Sequence, residues 1–170
     1  MASALIGAGF LAAKKWKDHL ELLLLFRQMI HHLKGQILSA HATLPEALSE
    51  VGNRSLGQRE GIFREPGEWF CRVAKRLEIR ENESFSEVWK SEMAGFSADF
   101  PLSKQEMEQL RALGEQLGYA DMAMQERTML FYLEQVEESI ARLKGELLQR
   151  TKLYRCLGMA AGLFLMVVLA

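Results

Sequence analysis

The sequence predicts an all-α protein: a cytoplasmic antiparallel helical bundle flanked by N- and C-terminal transmembrane helices. Three observations predict it. Apolar residues recur at spacings of three and four through the middle of the chain. Three Ser/Thr-x-x-Glu boxes, at Thr43, Ser84 and Ser103, mark helix starts. Both ends are free of charge and carry a basic cluster on their inner side. No stretch alternates with period two, so no sheet is expected.

Residues 1–13 read as an N-terminal membrane segment, uncharged and carrying Leu5, Ile6, Phe10 and Leu11. Lys14, Lys15, Trp16 and Lys17 follow at once. A cleaved signal peptide places its positive charge before the apolar stretch, the reverse of this order. Gly7 and Gly9 are expected to serve close helix packing in lipid.

The central domain, residues 14–152, opens with an amphipathic helix from Trp16 to about Ala40, in which Leu22, Phe26, Met29, Leu33 and Ile37 form one stripe. Thr43-Leu-Pro-Glu46 restarts a helix, with Pro45 in the first turn. Gly52, Gly57, Gly61, Pro66 and Gly67 make residues 52–67 an expected loop. A third helix carries Trp69, Phe70, Val73 and Leu77, and the Ser84 box opens one with Val88, Trp89 and Met93. The Ser103 box opens another with Met107, Leu110, Leu113 and Leu117, expected to end on Gly118 in a left-handed conformation.

The last helix starts near Asp121. Met129, Leu133, Val136, Ile140, Leu143 and Leu147 alternate at four and three residues within it, while Glu138–Arg142 and Glu146–Arg150 offer i,i+4 pairs. The stripe could seam a dimer, but packing of residues 121–152 antiparallel to 16–40 of the same chain is preferred. That pairing brings both basic ends to one surface. The helix is expected to continue through residues 153–170 as a C-terminal transmembrane helix. From Leu153 it extends about 27 Å, against a hydrocarbon core of about 30 Å. Lys152, Arg150 and Arg155 flank it, Tyr154 suits an interface, and Gly158 and Gly162 form a G-x-x-x-G packing motif. The basic flanks at both ends place the central domain in the cytoplasm.

Across 170 residues, 21 Lys and Arg balance 22 Asp and Glu, which excludes a generic basic binder of nucleic acid. Mean hydropathy is only −0.06, and it conceals a last fifteen residues with no charge. Cys71 and Cys156 form no C-x-x-C and read as buried free thiols. Gly7-Ala-Gly9-Phe-Leu-Ala12 matches a dinucleotide fingerprint, so a small dinucleotide-binding enzyme is one alternative. That mechanism needs a strand before the glycines and a second one after, and neither is expected here. His31 and His32 diverge by about 100° on a helix and so form no ligand pair, and His19 and His41 stand apart. No cofactor, metal or catalytic constellation is expected, and an assembly protein is favoured over an enzyme.

Four segments in order are similar to one family: LIGAGFLAAKKW (5–16), ATLPEAL (42–48), LRALGEQLGYADMAMQ (110–125) and LYRCLGMAAGLFLMVVLA (153–170). Together they resemble the stage III sporulation protein AB family of spore-forming bacteria. The chain departs from its pattern in a shorter first apolar segment and over residues 52–67.

The resemblance implies a single copy of the helical domain of F-type platform proteins. It implies an assembly subunit in the channel-like secretion complex between mother cell and forespore, in the mother-cell membrane surrounding the forespore. Partners would be the membrane, other subunits of the complex and a secretion-type ATPase, with no nucleic acid and with self-association left open. An inner-membrane platform subunit of a type II secretion or type IV pilus system is the alternative. Motif residues carried over as partner contacts are Leu44, Pro45, Glu46, Leu48, Gly114, Leu117, Gly118, Asp121 and Gln125.

Overall fold

The computed structural model describes residues 2–79, 83–118 and 121–169, with side chains over 13–79, 83–118 and 121–149. Among the described residues six α-helices occur in chain order: α1 Ala2–Leu38, α2 Leu44–Leu56, α3 Glu65–Ile79, α4 Phe85–Met93, α5 Lys104–Leu117 and α6 Met122–Leu169. A 3₁₀ turn, Gly61–Arg64, precedes α3, and no strand occurs among the described residues. The all-helical expectation is met.

The two long helices form the frame. Leu22, Phe26, Met29, Leu33 and Ile37 are all buried, as are Met129, Leu133, Val136, Ile140 and Leu143 of the facing stripe. Leu147 is only half-buried. Arg27 donates from Nη1 to Glu137 Oε1 at 2.8 Å, while Lys14 to Trp16 share a cleft with Arg142 and Glu146. Residue numbers that rise along α1 therefore meet numbers that fall along α6, so the pair is antiparallel. The expected Glu138–Arg142 pair is not formed. The preceding acid, Glu137, bridges to α1 instead.

Capping chemistry fixes where the short helices start. Ser84 Oγ accepts the Glu87 N–H at 3.3 Å and Glu87 Oε2 accepts the Ser84 N–H at 3.0 Å. Ser103 and Glu106 repeat the arrangement at 3.2 and 2.8 Å. At α2, Glu46 Oε2 accepts both the N–H and the hydroxyl of Thr43. These hydrogen bonds hold the exposed Glu46 carboxyl below its ordinary value.

The stretch 52–67 is not a loop, which corrects the expectation. α2 continues through Gly52 to Leu56, and α3 starts at Glu65. Both glycines are buried where the two helices cross. A β-carbon on Gly52 would lie 2.8 Å from the Gly67 carbonyl oxygen, and one on Gly67 would lie 3.0 Å from that of Gly52. Their missing side chains allow the backbones to approach, and only residues 57–60 connect the last turn of α2 to the 3₁₀ turn.

Gly118 is a second correction. Its φ is −74°, so it is not left-handed. Glycine is needed because a β-carbon there would stand 2.8 Å from Cβ of Phe85. The left-handed residue after α1 is His41, with φ 53°, where the Ala42 N–H returns to the Gln36 carbonyl at 3.1 Å.

Trp69 and Trp89, both fully buried, centre the core, with ring centroids 4.3 Å apart in an edge-to-face arrangement. Phe70 and Phe96 each lie 5.2 Å from Trp69, and Phe96 stacks on Phe100 at 4.2 Å. α3 is tied to α4 by Arg76, which reaches Glu83 at 2.6 Å and Glu92 at 3.0 Å. Among the described residues no helix is long and apolar enough to cross a membrane. The expected segments 1–13 and 153–170 lie almost wholly outside the residues whose side chains are described.

Candidate interaction site

At the end of the frame where both chain termini leave, α1, α6 and the α4–α5 connection enclose a cleft of about 770 Å³. Lys14, Lys15 and Trp16 come from α1, Arg142 and Glu146 from α6, and Phe100 to Ser103 from the connection. His19 and Glu106 also line it, 87 residues apart in sequence.

Glu106 is held against this cleft as the third residue of α5, where it closes the Ser103 capping box. Its Oε2 accepts the Ser103 N–H at 2.8 Å and His19 Nε2 at 2.6 Å. Its Oε1 is buried and has no hydrogen-bond partner. The residue is 3% exposed. Burial pushes its carboxyl pKa up, and the bonds from His19 and Ser103 outweigh burial, leaving it below the ordinary value. Buried Tyr132 has its phenol pushed well up, first by burial and then by the charge of Glu106. The phenol is therefore neutral and Glu106 ionised. Such a site can hold a complementary donor.

A second groove, about 780 Å³, runs along α1 past Lys17, Arg27, His31, His32 and Arg59. Glu21 pairs with Arg59 at 3.3 Å there, and Glu137 with Arg27. Its carboxylates are thus both taken up by its own arginines.

The motif residues form two clusters. By the register of Arg27 against Glu137, both lie at the end of the frame remote from the chain termini. In the first, Leu48 is fully buried, Leu44 and Pro45 half-buried and Glu46 exposed on its cap. In the second, Asp121 Oδ1 accepts the Met124 N–H at 2.8 Å, and Gln125 Nε2 donates to the Leu117 carbonyl at 3.3 Å. Leu117 is buried, and Gly114 lies beneath Trp89. Most of these residues hold the corners of the fold, leaving Glu46, Asp121, Met122 and Met124 exposed at the same end.

Of the expected interface residues, Lys14, Lys15 and Lys17 are exposed and Trp16 is half-buried. The side chains of Arg150, Lys152, Tyr154, Arg155 and Cys156, and the surroundings of Gly7, Gly9, Gly158 and Gly162, lie outside what the structure describes. Gly7 and Gly9 fall within the continuous helix α1, so the strand–turn–helix of a dinucleotide site is not formed. Cys71 is a free thiol, half-buried, with Sγ 3.6 Å from Asn53 Oδ1. Burial raises its pKa.

In the sequence His19 stands apart and Glu106 reads only as part of a cap. Nothing local marks their contact, which depends on α5, packed against α4 and α6, bringing its first turn up to α1.

The sequence profile described as Stage III sporulation protein AB matches residues 1–170. A curated relative, the stage III sporulation protein AB of Bacillus subtilis (strain 168), is 23% identical over 161 residues, covering 95% of this chain and 90% of its own. A solved structure titled Stage III sporulation protein AB (SpoIIIAB) superposes with a TM-score of 0.65 at 21% identity. It covers 77% of this chain and 97% of its own. That likeness concerns the fold, and the profile match over the full length concerns descent: the chain belongs to the stage III sporulation protein AB family.

Proposed function

We propose that this protein is a membrane-anchored assembly subunit of the channel-like secretion complex between mother cell and forespore. Its helical domain would act there as a cytoplasmic platform for a secretion-type ATPase and other subunits. The observation that carries the reading is the antiparallel α1–α6 frame. It sends the apolar N-terminal extension and the apolar C-terminal extension out at one end, beside Lys14, Lys15 and Arg142. A chain gripped by lipid at both extremities needs that geometry, because both spans must reach one surface. The opposite end, with Glu46, Asp121, Met122 and Met124 exposed, then faces away from the bilayer and offers the platform surface. Membership of the family supplies the sporulation context.

Cysteine accessibility in intact non-sporulating cells expressing the full chain, whose membrane faces the medium, tests the topology. In a Cys71→Ala, Cys156→Ala background, Glu50→Cys should resist an impermeant maleimide added from outside and react after permeabilisation. Ala170→Cys should react without it. Release of the full chain by salt without detergent, or external labelling at residue 50, would overturn the reading.

A further inference from the structure

We propose that the cleft lined by His19 and Glu106 binds a basic side chain, arginine or lysine, presented by a neighbouring protein subunit. One oxygen of the Glu106 carboxylate is fully used, by Ser103 and His19, and the other is buried with no donor. A buried carboxylate oxygen left bare carries its desolvation cost uncompensated, and a cationic donor is the group that offsets it best. The exposed cations already at the mouth, Lys14, Lys15 and Arg142, line the cleft without reaching that oxygen. The walls contributed by Phe100, Pro101 and Leu102 suit the methylene stem of such a side chain. The volume of about 770 Å³ admits far more than a water molecule.

A lipid headgroup could also bring an amine to this floor. The acids lining the cleft, Asp18, Asp99, Glu106 and Glu146, outnumber its cations, Lys14, Lys15 and Arg142, so the lining as a whole favours a net cation over a headgroup whose amine comes with a phosphate. The source of the side chain rests on the proposed anchoring. At the cytoplasmic surface of a membrane, neighbouring spans carry an excess of Lys and Arg just where this cleft opens.

The test uses the full chain in detergent micelles, with the His19 ring observed by NMR and assigned through His19→Asn. Titration with N-acetyl-L-argininamide should shift the His19 resonances saturably in the millimolar range, while the uncharged citrulline analogue leaves them in place. Glu106→Gln should weaken the arginine analogue about tenfold, as expected for one charge-assisted hydrogen bond. Ala98→Trp, at an exposed wall position, should close the cleft and abolish the shift even if Glu106→Gln does not fold.

Equal response to citrulline, or an unchanged titration in Ala98→Trp, would overturn the site. A stronger response to phosphoethanolamine than to argininamide would assign it to lipid and overturn the protein partner. No arginine response from a chain that still requires detergent for extraction sinks the site and leaves the anchoring standing. Arginine binding by a chain extracted without detergent overturns the anchoring and the juxtamembrane source alone.

Discussion

The indole of Trp89 lies directly on the backbone of α5 at Gly114, where a β-carbon would overlap the ring. The indole Nε1 also donates to the Leu110 carbonyl at 2.9 Å, one turn earlier on the same helix. The ring is fully buried and packed against Trp69, Phe70 and Phe85. It has no direction in which to retreat. Gly114→Ala should therefore cost about 3 kcal/mol, the upper end for overpacking a core. Urea denaturation of the full chain in detergent, followed by tryptophan fluorescence, measures it.

The other glycines divide by what faces them. Gly52→Ala sets a methyl against the Gly67 carbonyl at 2.8 Å and Cys71 Sγ at 2.7 Å, and the carbonyl belongs to a helix backbone that cannot step aside. A loss of about 2 kcal/mol is expected. Gly35 and Gly145 lie inside α1 and α6 with nothing within 4 Å of the added carbon. Gly35→Ala and Gly145→Ala should each raise stability by about 0.5–1 kcal/mol, the helix-propensity difference. Midpoints in urea should move in opposite directions, and a fall for Gly145→Ala would show that α6 is covered there.

These glycines also explain what the sequence left unread. Periodicity located both stripes of the frame, because burial of Leu22 through Ile37 and of Met129 through Leu143 follows from helical geometry alone. The boxes at Ser84 and Ser103 are local chemistry and start their helices where expected. Glycine, however, has two uses that look alike in sequence: freedom of φ and absence of bulk. Gly52 and Gly67 read in sequence as loop residues and Gly118 as a left-handed cap, yet all three serve the second use, a distinction set by a neighbouring helix and not by flanking residues. The His19–Glu106 contact is hidden for the same reason.

Trp69 and Trp89 are equally buried, yet their indole nitrogens differ. Trp89 has its acceptor, while Nε1 of Trp69 is buried without one. Trp→Phe removes similar apolar area at either position. At 89 it also removes a satisfied hydrogen bond, and at 69 it removes an unsatisfied donor. Trp89→Phe should be the more destabilising by about 1 kcal/mol. Equal losses would mean that the Leu110 bond contributes nothing net.

Acid should expose the role of Glu106. Its folded-state pKa lies below the unfolded value near 4.5, so folding favours the ionised carboxylate. That stabilisation is complete above the unfolded value and is lost as the pH falls through the folded one. Glu46 and Glu87, each held down by the backbone N–H and hydroxyl of its cap residue, titrate in the same direction from exposed positions. Glu106→Gln separates the contributions, since it keeps an acceptor for Ser103 and has no charge to lose. Urea midpoints taken between pH 7 and pH 3 should fall more steeply for the native chain than for Glu106→Gln, with the curves converging toward pH 3. Parallel curves would show that the His19 contact does not hold Glu106 in its ionised form.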